Sequence, residues 1–441
     1  MNINIYAIGH IYFASDKIHI PYLNRPIDNF FAKSCFGGFL DFILKSFHSL
    51  FFFSLKFKKT STEYQGVLTF GLTNNNRNTL KPITEEIGSK KVCSITDRKD
   101  FPMWRVYFYA YPYLFRLLRE YRKAKSNDKE IIRFFFAKFW RMYGCKKVAE
   151  RMIKLYQPKV IVLSNDHLEM NRVLMEVANE KGVKTMYVQH ASVTDKFPPL
   201  HFTYSMLDGE DSFEKYKGVG DMKGNVYLSG GVRFDSVKKK DIESVRAIGV
   251  AINTIDNDEK VKETCIKLRD RYIATRIVLR PHPSMNQDAW RNWCEKNGIG
   301  FSCSAEQSSF VFLSSLTFMI SNQSSIHLDA AMNHVPSVIY NMSDMDVEDH
   351  YGYKAKKLVP ATSTIEELFS TLDNVEQYKY DTGVVRFFNS SFETPFEGKV
   401  ASMIAELINC IVEDKKISEF NEKNHFFLNE KGDDYKSFVF Q

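Results

Sequence analysis

At 441 residues the chain is too long for one ordinary core, and length favours two domains of roughly 200 residues each. With 44% hydrophobic and 26% charged residues it has the composition of a folded globular protein, and a net charge of +7 does not indicate a dedicated nucleic-acid binder. Seven cysteines, odd in number and without CxxC or Cys/His ligand spacing, argue against a disulfide framework and suit a reducing cytoplasm.

The N-terminus, "MNINIYAIGHIYFASDKIHI", lacks the basic segment and unbroken apolar run of a signal peptide and is read as a first strand. No segment supplies about 18 uncharged apolar residues, so no spanning helix is expected. "FGGFLDFILKSFHSLFFFSLKFKK" (36–59) is the most apolar stretch, broken by Asp41, Lys45 and His48. Its three- and four-residue steps and basic end predict an amphipathic helix, lying on a membrane or packed as a core helix. Two further aromatic and basic helical regions, 103–125 and 131–156, strengthen the membrane reading.

From residue 159 strands and helices alternate. "KVIVLSND", "LEMNRVLMEVANEKG" and "VKTMYVQH" spell strand, helix, strand, a βαβ unit that predicts a parallel sheet. "NVYLSGGVRFD" (225–235) leads to a glycine-bearing hinge, after which "RAIGVAIN", "RIVLRPHP", "GIGFSC", "LTFMISN" and "VPSVIYN" are strands separated by helices. The pattern predicts an α/β protein of two Rossmann-like domains, with parallel sheets facing a central cleft. An acceptor-side domain would span 1–240 with an aromatic and basic helical insertion, and a nucleotide-binding domain 241–411. A tail, 412–441, either returns to the N-terminal domain or hangs loose.

Ligands of open α/β sheets sit beyond the carboxyl ends of the strands. "LRPHP" places Arg280 and His282 there, in a proline-fixed turn that suits a phosphate leaving group. "SNQSS" supplies Asn322, Ser324 and Ser325 between a strand and a helix, where backbone N–H groups and hydroxyls favour an anion; an ordinary N-cap is the alternative. Asp329, a turn further on, would reach a ribose hydroxyl or the positive helix end. In the first domain Asp166 of "LSNDH" follows a strand and could deprotonate an acceptor hydroxyl, or serve as an Asx turn. His190 of "VQH" would polarise a substrate or be a buried histidine. Asp208, Glu210 and Asp211 of "LDGEDSF" could supply a base or nucleophile, or a solvated turn. Arg233 and Asp235 end "SGGVRFD".

The order "VQH", "SGGVRFD", "LRPHP" and "SNQSSIHLDAA…VPSVIY" over residues 159–345 resembles bacterial surface-polysaccharide transferases of the GT-B type. Among these are the capsule and lipopolysaccharide Kdo transferases, the polysialyltransferases, and the CDP-glycerol glycerophosphotransferases of teichoic acid synthesis. "SNQSS" departs from the aspartate-second motif of the last group, and "LDGED" matches the acidic motif of the polysialyltransferases only in part. The resemblance implies nucleotide and phosphate roles for Arg280, His282, Ser324 and Ser325, a nucleotide-activated sugar as donor, no tightly bound cofactor and no metal. Absent P-loop, GxGxxG and GxSxG motifs argue against a P-loop kinase, an NAD enzyme and an α/β-hydrolase. The expected activity is transfer of a CMP-activated acidic sugar of the Kdo or sialic acid kind to a lipid-linked or oligosaccharide acceptor, at the inner face of the cytoplasmic membrane. A CDP-polyol phosphotransferase, a nucleotide-sugar epimerase and a non-catalytic glycan-assembly protein are the alternatives.

Overall fold

The computed structural model describes residues 3–14, 34–236, 247–374 and 378–440. In chain order the strands are β1 (Val67–Phe70), β2 (Val92–Ile95), β3 (Val160–Leu163), β4 (Lys184–Val188), β5 (Tyr204–Leu207), β6 (Gly224–Leu228), β7 (Ala247–Ile252), β8 (Arg276–Pro281), β9 (Gly300–Phe301), β10 (Phe318–Ser321), β11 (Ser337–Tyr340), β12 (Ala361–Thr362), β13 (Phe426–Lys431) and β14 (Tyr435–Phe440). They form two sheets, β13-β14-β6-β5-β4-β3-β1-β2 and β12-β11-β10-β7-β8-β9. Every pairing is parallel except the β13–β14 hairpin. The central strands, such as "VLTF" of β1 and "VIVL" of β3, are buried at every residue, which is why they read as continuous apolar runs rather than alternating ones.

Two units follow from the contacts, residues 1–233 with 399–441, and 234–398. The helix Val400–Val412 packs on the helix Asn74–Ile87 and on β3, and β14 extends the first sheet by pairing in parallel with β6. Residues 399–441 thus belong to the first unit, and the domain boundary expected at 240/241 lies outside the described residues.

Two features of the first unit depart from the sequence reading. The N-terminus is not a strand: Ile5–Ile8 and His10–Phe13 are short helices. Asn4 accepts from the N–H groups of Tyr6 and Ala7, which turns the chain into a helix, and buried Ile5 and Ile8 anchor it. β1 and β2, which lie ahead of the alternation beginning at residue 159, complete the sheet beside β3. The aromatic insertion is the helices Cys35–Phe52, Met103–Ala110, Leu114–Lys123, Ser126–Phe134 and Phe136–Tyr156. Trp140 and Phe42 stack at 3.7 Å in its centre.

Candidate active site

In the first unit β3, β4 and β5 are parallel neighbours, so the residues that follow them share one edge of the sheet. After β3, Asn165 Oδ1 accepts from the backbone N–H groups of His167 and Leu168 at 3.1 and 2.7 Å and opens the helix Glu169–Glu180. The Asx turn is therefore Asn165's, and Asp166 is engaged elsewhere. Its carboxylate is fully buried, accepts from Tyr216 Oη at 2.7 Å and lies 3.0 Å from His167 Nδ1. Tyr187 Oη sits 3.2 Å from Tyr216 Oη. Burial, with the Asp166 charge, holds both phenols well above their usual range, so they stay protonated donors.

Because Asn165 Oδ1 is engaged by backbone, its Nδ2 donates to His167 Nε2 at 3.2 Å, and His167 Nδ1–H donates to Asp166. The His167 side chain is 19% exposed and that of Asp166 is 0%, so the imidazole, not the carboxylate, meets solvent. His190, after β4, has its ring centroid 6.3 Å from that of His167. Burial lowers its pKa to about 4, with Asp166 opposing. Nδ1 has no partner, so the hydrogen bond to the Ser164 carbonyl falls to Nε2–H. His190 is thus a neutral imidazole with an unpaired lone pair. After β5, buried Asp208 donates its N–H to Gln189 Oε1 at 2.9 Å, and its carboxylate lies 3.6 Å from Arg233. Gln189 Nε2 in turn donates to Ser212 Oγ at 2.9 Å. Asp211 instead pairs with Lys215 at 2.7 Å, one turn along the helix Glu210–Val219. Asp166, His190 and Asp208 are brought to one edge, and Asp211 is held on a helix surface.

In the second unit the register sets Arg280 of β8 beside Ala251 of β7, and Ala251 beside Ser321 of β10. With one strand between them, the corners after β8 and β10 leave the same edge about 10 Å apart. Arg280, expected on a phosphate, is buried and turned inward: it donates to Ser302 Oγ at 2.8 Å and to the Gln307 carbonyl at 2.6 Å. Its guanidinium also lies 5.3 Å from the Phe312 ring. His282 is exposed, and its Nδ1 accepts from Ser284 N–H at 3.2 Å, which leaves the ring proton on Nε2.

Asn322 is wholly engaged, donating to Asp256 and Asn341 at 2.8 and 3.2 Å and accepting from Gln323 N–H at 2.8 Å; it ties together the ends of β7, β10 and β11. The two serines are not ordinary caps. Ser325 stands at the N-cap with helical backbone angles and makes no capping side-chain bond, and Ser324 Oγ meets Ile326 N–H only at 3.5 Å. The helix they precede, Ile326–Met332, has seven residues. Asp329 accepts from Ser309 Oγ at 3.0 Å and is turned toward the helix Ser309–Leu313. Between these groups Gln323, 9% exposed, has a buried Oε1 without a partner. His327 holds the turn from beneath: fully buried, its Nε2 donates to the Asn322 carbonyl at 3.0 Å and its Nδ1 lies 3.1 Å from Ser337 Oγ.

The corner therefore presents His282, Gln323, Ser324 and Ser325, while Arg280, Asn322 and Asp329 brace it. His167, Tyr216, Gln189 and Gln323 escaped the sequence reading. His167 and Gln189 adjoin residues that were singled out, but a tyrosine fifty positions from its carboxylate gives no local signal. Among the described residues no three His, Cys, Asp or Glu side chains gather as a metal ion would require.

No protein-family model and no curated protein sequence matches the chain. Among solved structures, UDP-GlcNAc 2-epimerase from Neisseria meningitidis, bound to UDP-GlcNAc, is similar at 12% identity over 78% of this chain and 99% of its own, with a TM-score of 0.50. UDP-GlcNAc 2-epimerase from Methanocaldococcus jannaschii is similar at 10% identity over 78% and 98%, with a TM-score of 0.47. MurG from Acinetobacter baumannii is similar at 11% over the same shares, with a TM-score of 0.42. At such identities the likeness is one of fold, and the fold is the two-Rossmann α/β architecture of the GT-B class.

Proposed function

We propose that this protein is a GT-B enzyme working on a nucleotide-activated sugar, a glycosyltransferase of bacterial surface glycans with a CMP-activated acidic sugar as its donor class. One observation supports this above the others: the row Arg280, Ala251, Ser321 brings the RPHP and SNQSS corners to the same edge of one sheet. There His282 Nε2–H and the hydroxyls of Ser324 and Ser325 are donors suited to a leaving phosphate, and the Gln323 amide is suited to a base or ribose. In the first unit the His190 imidazole is suited to polarising an acceptor hydroxyl. His167, its tautomer fixed by Asp166, positions the attacking group. Asp166 is a positioning residue in this scheme.

The fold likeness to an enzyme bound to UDP-GlcNAc makes UDP-sugars the first competitors and a nucleotide-sugar epimerase the second reading. Thermal-shift titration of the full chain with CMP, CDP, UDP and GDP ranks them. A nucleotide at a hundredfold its Kd stabilises by about 2.7 kcal/mol. Ser325→Ala and His282→Ala are expected to weaken that shift, and sugar transfer is expected to need an added glycan acceptor. Turnover of a nucleotide sugar alone would establish the epimerase reading, CDP-polyol consumption the phosphotransferase, and no shift with any nucleotide a non-catalytic assembly role.

A further inference from the structure

The helix Cys35–Phe52 has two apolar faces. One is inward: Gly38, Phe42 and Ser49 are buried, and Phe42 stacks on Trp140 and meets Tyr107 at 5.0 Å. The other is outward, where Phe36, Leu40, Leu44, Phe47 and Phe51 recur at three- and four-residue steps, with Phe36 at 69% and Phe51 at 81% exposure. This helix is long and apolar enough to cross a membrane, yet its buried inward face fixes it to the domain.

A second stripe runs beside it. Trp104, Phe108, Tyr111 and Phe115 follow the same steps along Met103–Lys123, and Phe115 is 81% exposed. Trp104 Nε1 donates to the Leu55 carbonyl at 3.1 Å, and Tyr111 Oη donates to Ser46 Oγ at 3.4 Å, so the two stripes adjoin. Cations bound the patch at both ends. The second stripe continues in register into exposed Arg119 and Arg122, with Lys123 beside them. At the other end stand exposed Lys56, Lys59, Arg98 and Lys99, and Arg98 lies 5.5 Å from the Phe53 ring.

A field of exposed aromatic side chains bordered by Lys and Arg marks an interaction surface, and its chemistry matches one partner, a bilayer with anionic headgroups. We infer that this face docks the first unit on an anionic lipid surface, with Phe47, Phe51, Phe108 and Phe115 at the acyl boundary and the flanking cations on the headgroups. The inference stands apart from the choice of donor.

Flotation of the full chain with vesicles of phosphatidylcholine, with and without phosphatidylglycerol, tests it. The protein is expected to float with the anionic vesicles and to be released by high salt. Phe47→Ser with Phe51→Ser, at exposed positions, should lower the partition about tenfold or more. Arg119→Gln and Arg122→Gln should lower it about fivefold per charge, and only on the anionic vesicles. As a second reading independent of the serine variants, brominated acyl chains should quench fluorescence of the unaltered protein, and Trp104→Phe should remove that quenching. Absence of flotation, serine variants that float as well as the parent, or no quenching would each overturn the inference. Light scattering that finds a dimer split by the serine variants, with no vesicle binding, would assign the face to a second copy of the chain.

Discussion

Asp166 shows how much one residue's surroundings decide. Its position after an apolar strand marks a residue near the site, but it is fully buried and bonded to Tyr216 and His167, which keeps it from a substrate. Its consequence is exerted through His167, whose proton it holds on Nδ1. Asp166→Asn replaces one acceptor oxygen with an N–H donor and inverts that tautomer. Turnover in the proposed reaction is expected to fall about a hundredfold or more. The pH profile of kcat should change shape, while nucleotide-induced stabilisation stays as it was. An unchanged pH profile with an equal loss of thermal stability would reduce Asp166 to a packing role. The serines of SNQSS show the reverse: an ordinary cap was the alternative to an anion site, and the backbone angles at Ser325 remove that alternative.

Secondary elements were legible where their period was strong. The helix Glu169–Glu180, with the strands around it, falls where apolar spacing and a terminal glycine put it. β1 and β2 are only four residues each, and their burial comes from neighbours elsewhere in the chain. β3, β10 and β11 are equally short, but a strongly patterned neighbour reveals them, whereas β1 runs into the polar, proline-containing helix Asn74–Ile87, so no strand–helix alternation marks β1 and β2. How helices approach was equally hidden. The helix Phe136–Tyr156 crosses Met103–Ala110 so closely that a Cβ on Gly144 would lie 1.7 Å from the Val106 carbonyl oxygen. Gly144→Ala is therefore expected to force the two helices apart and cost about 3 kcal/mol. Gly218→Ala, on a helix where a Cβ meets nothing within 4 Å, should be neutral or slightly stabilising. Melting temperatures of the pair check the contrast; equal effects would mean that the crossing adjusts freely.

At the scale of the whole molecule each unit carries an imidazole that burial keeps neutral, His190 in the first and His327 in the second, both lowered from 6.5 to about 4. The unfolded chain takes up these protons first. Neither group therefore affects stability above about pH 6.5, and each penalises the folded state increasingly as pH falls from 6.5 toward 4. For fully buried His327 the loss is about 3 kcal/mol. Calorimetry between pH 7 and 4 should show the melting temperature falling, and His327→Asn should flatten that slope; a slope unchanged by the substitution would exclude His327 as its source. The sequence alone determined the α/β alternation from residue 159, the restart in a second Rossmann-like unit and the two strand-end motifs, because period and composition are local properties of the chain. Tertiary structure decided what no local pattern holds. It returned residues 399–441 to the first unit, where β14 finds an open edge at β6. It turned Arg280 inward onto Ser302 and Gln307, and it placed the unpaired Nδ1 of His190 near the His167 ring. Edge pairing, the direction of a buried side chain and the lack of a partner all depend on residues distant in sequence, and only packing brings those together.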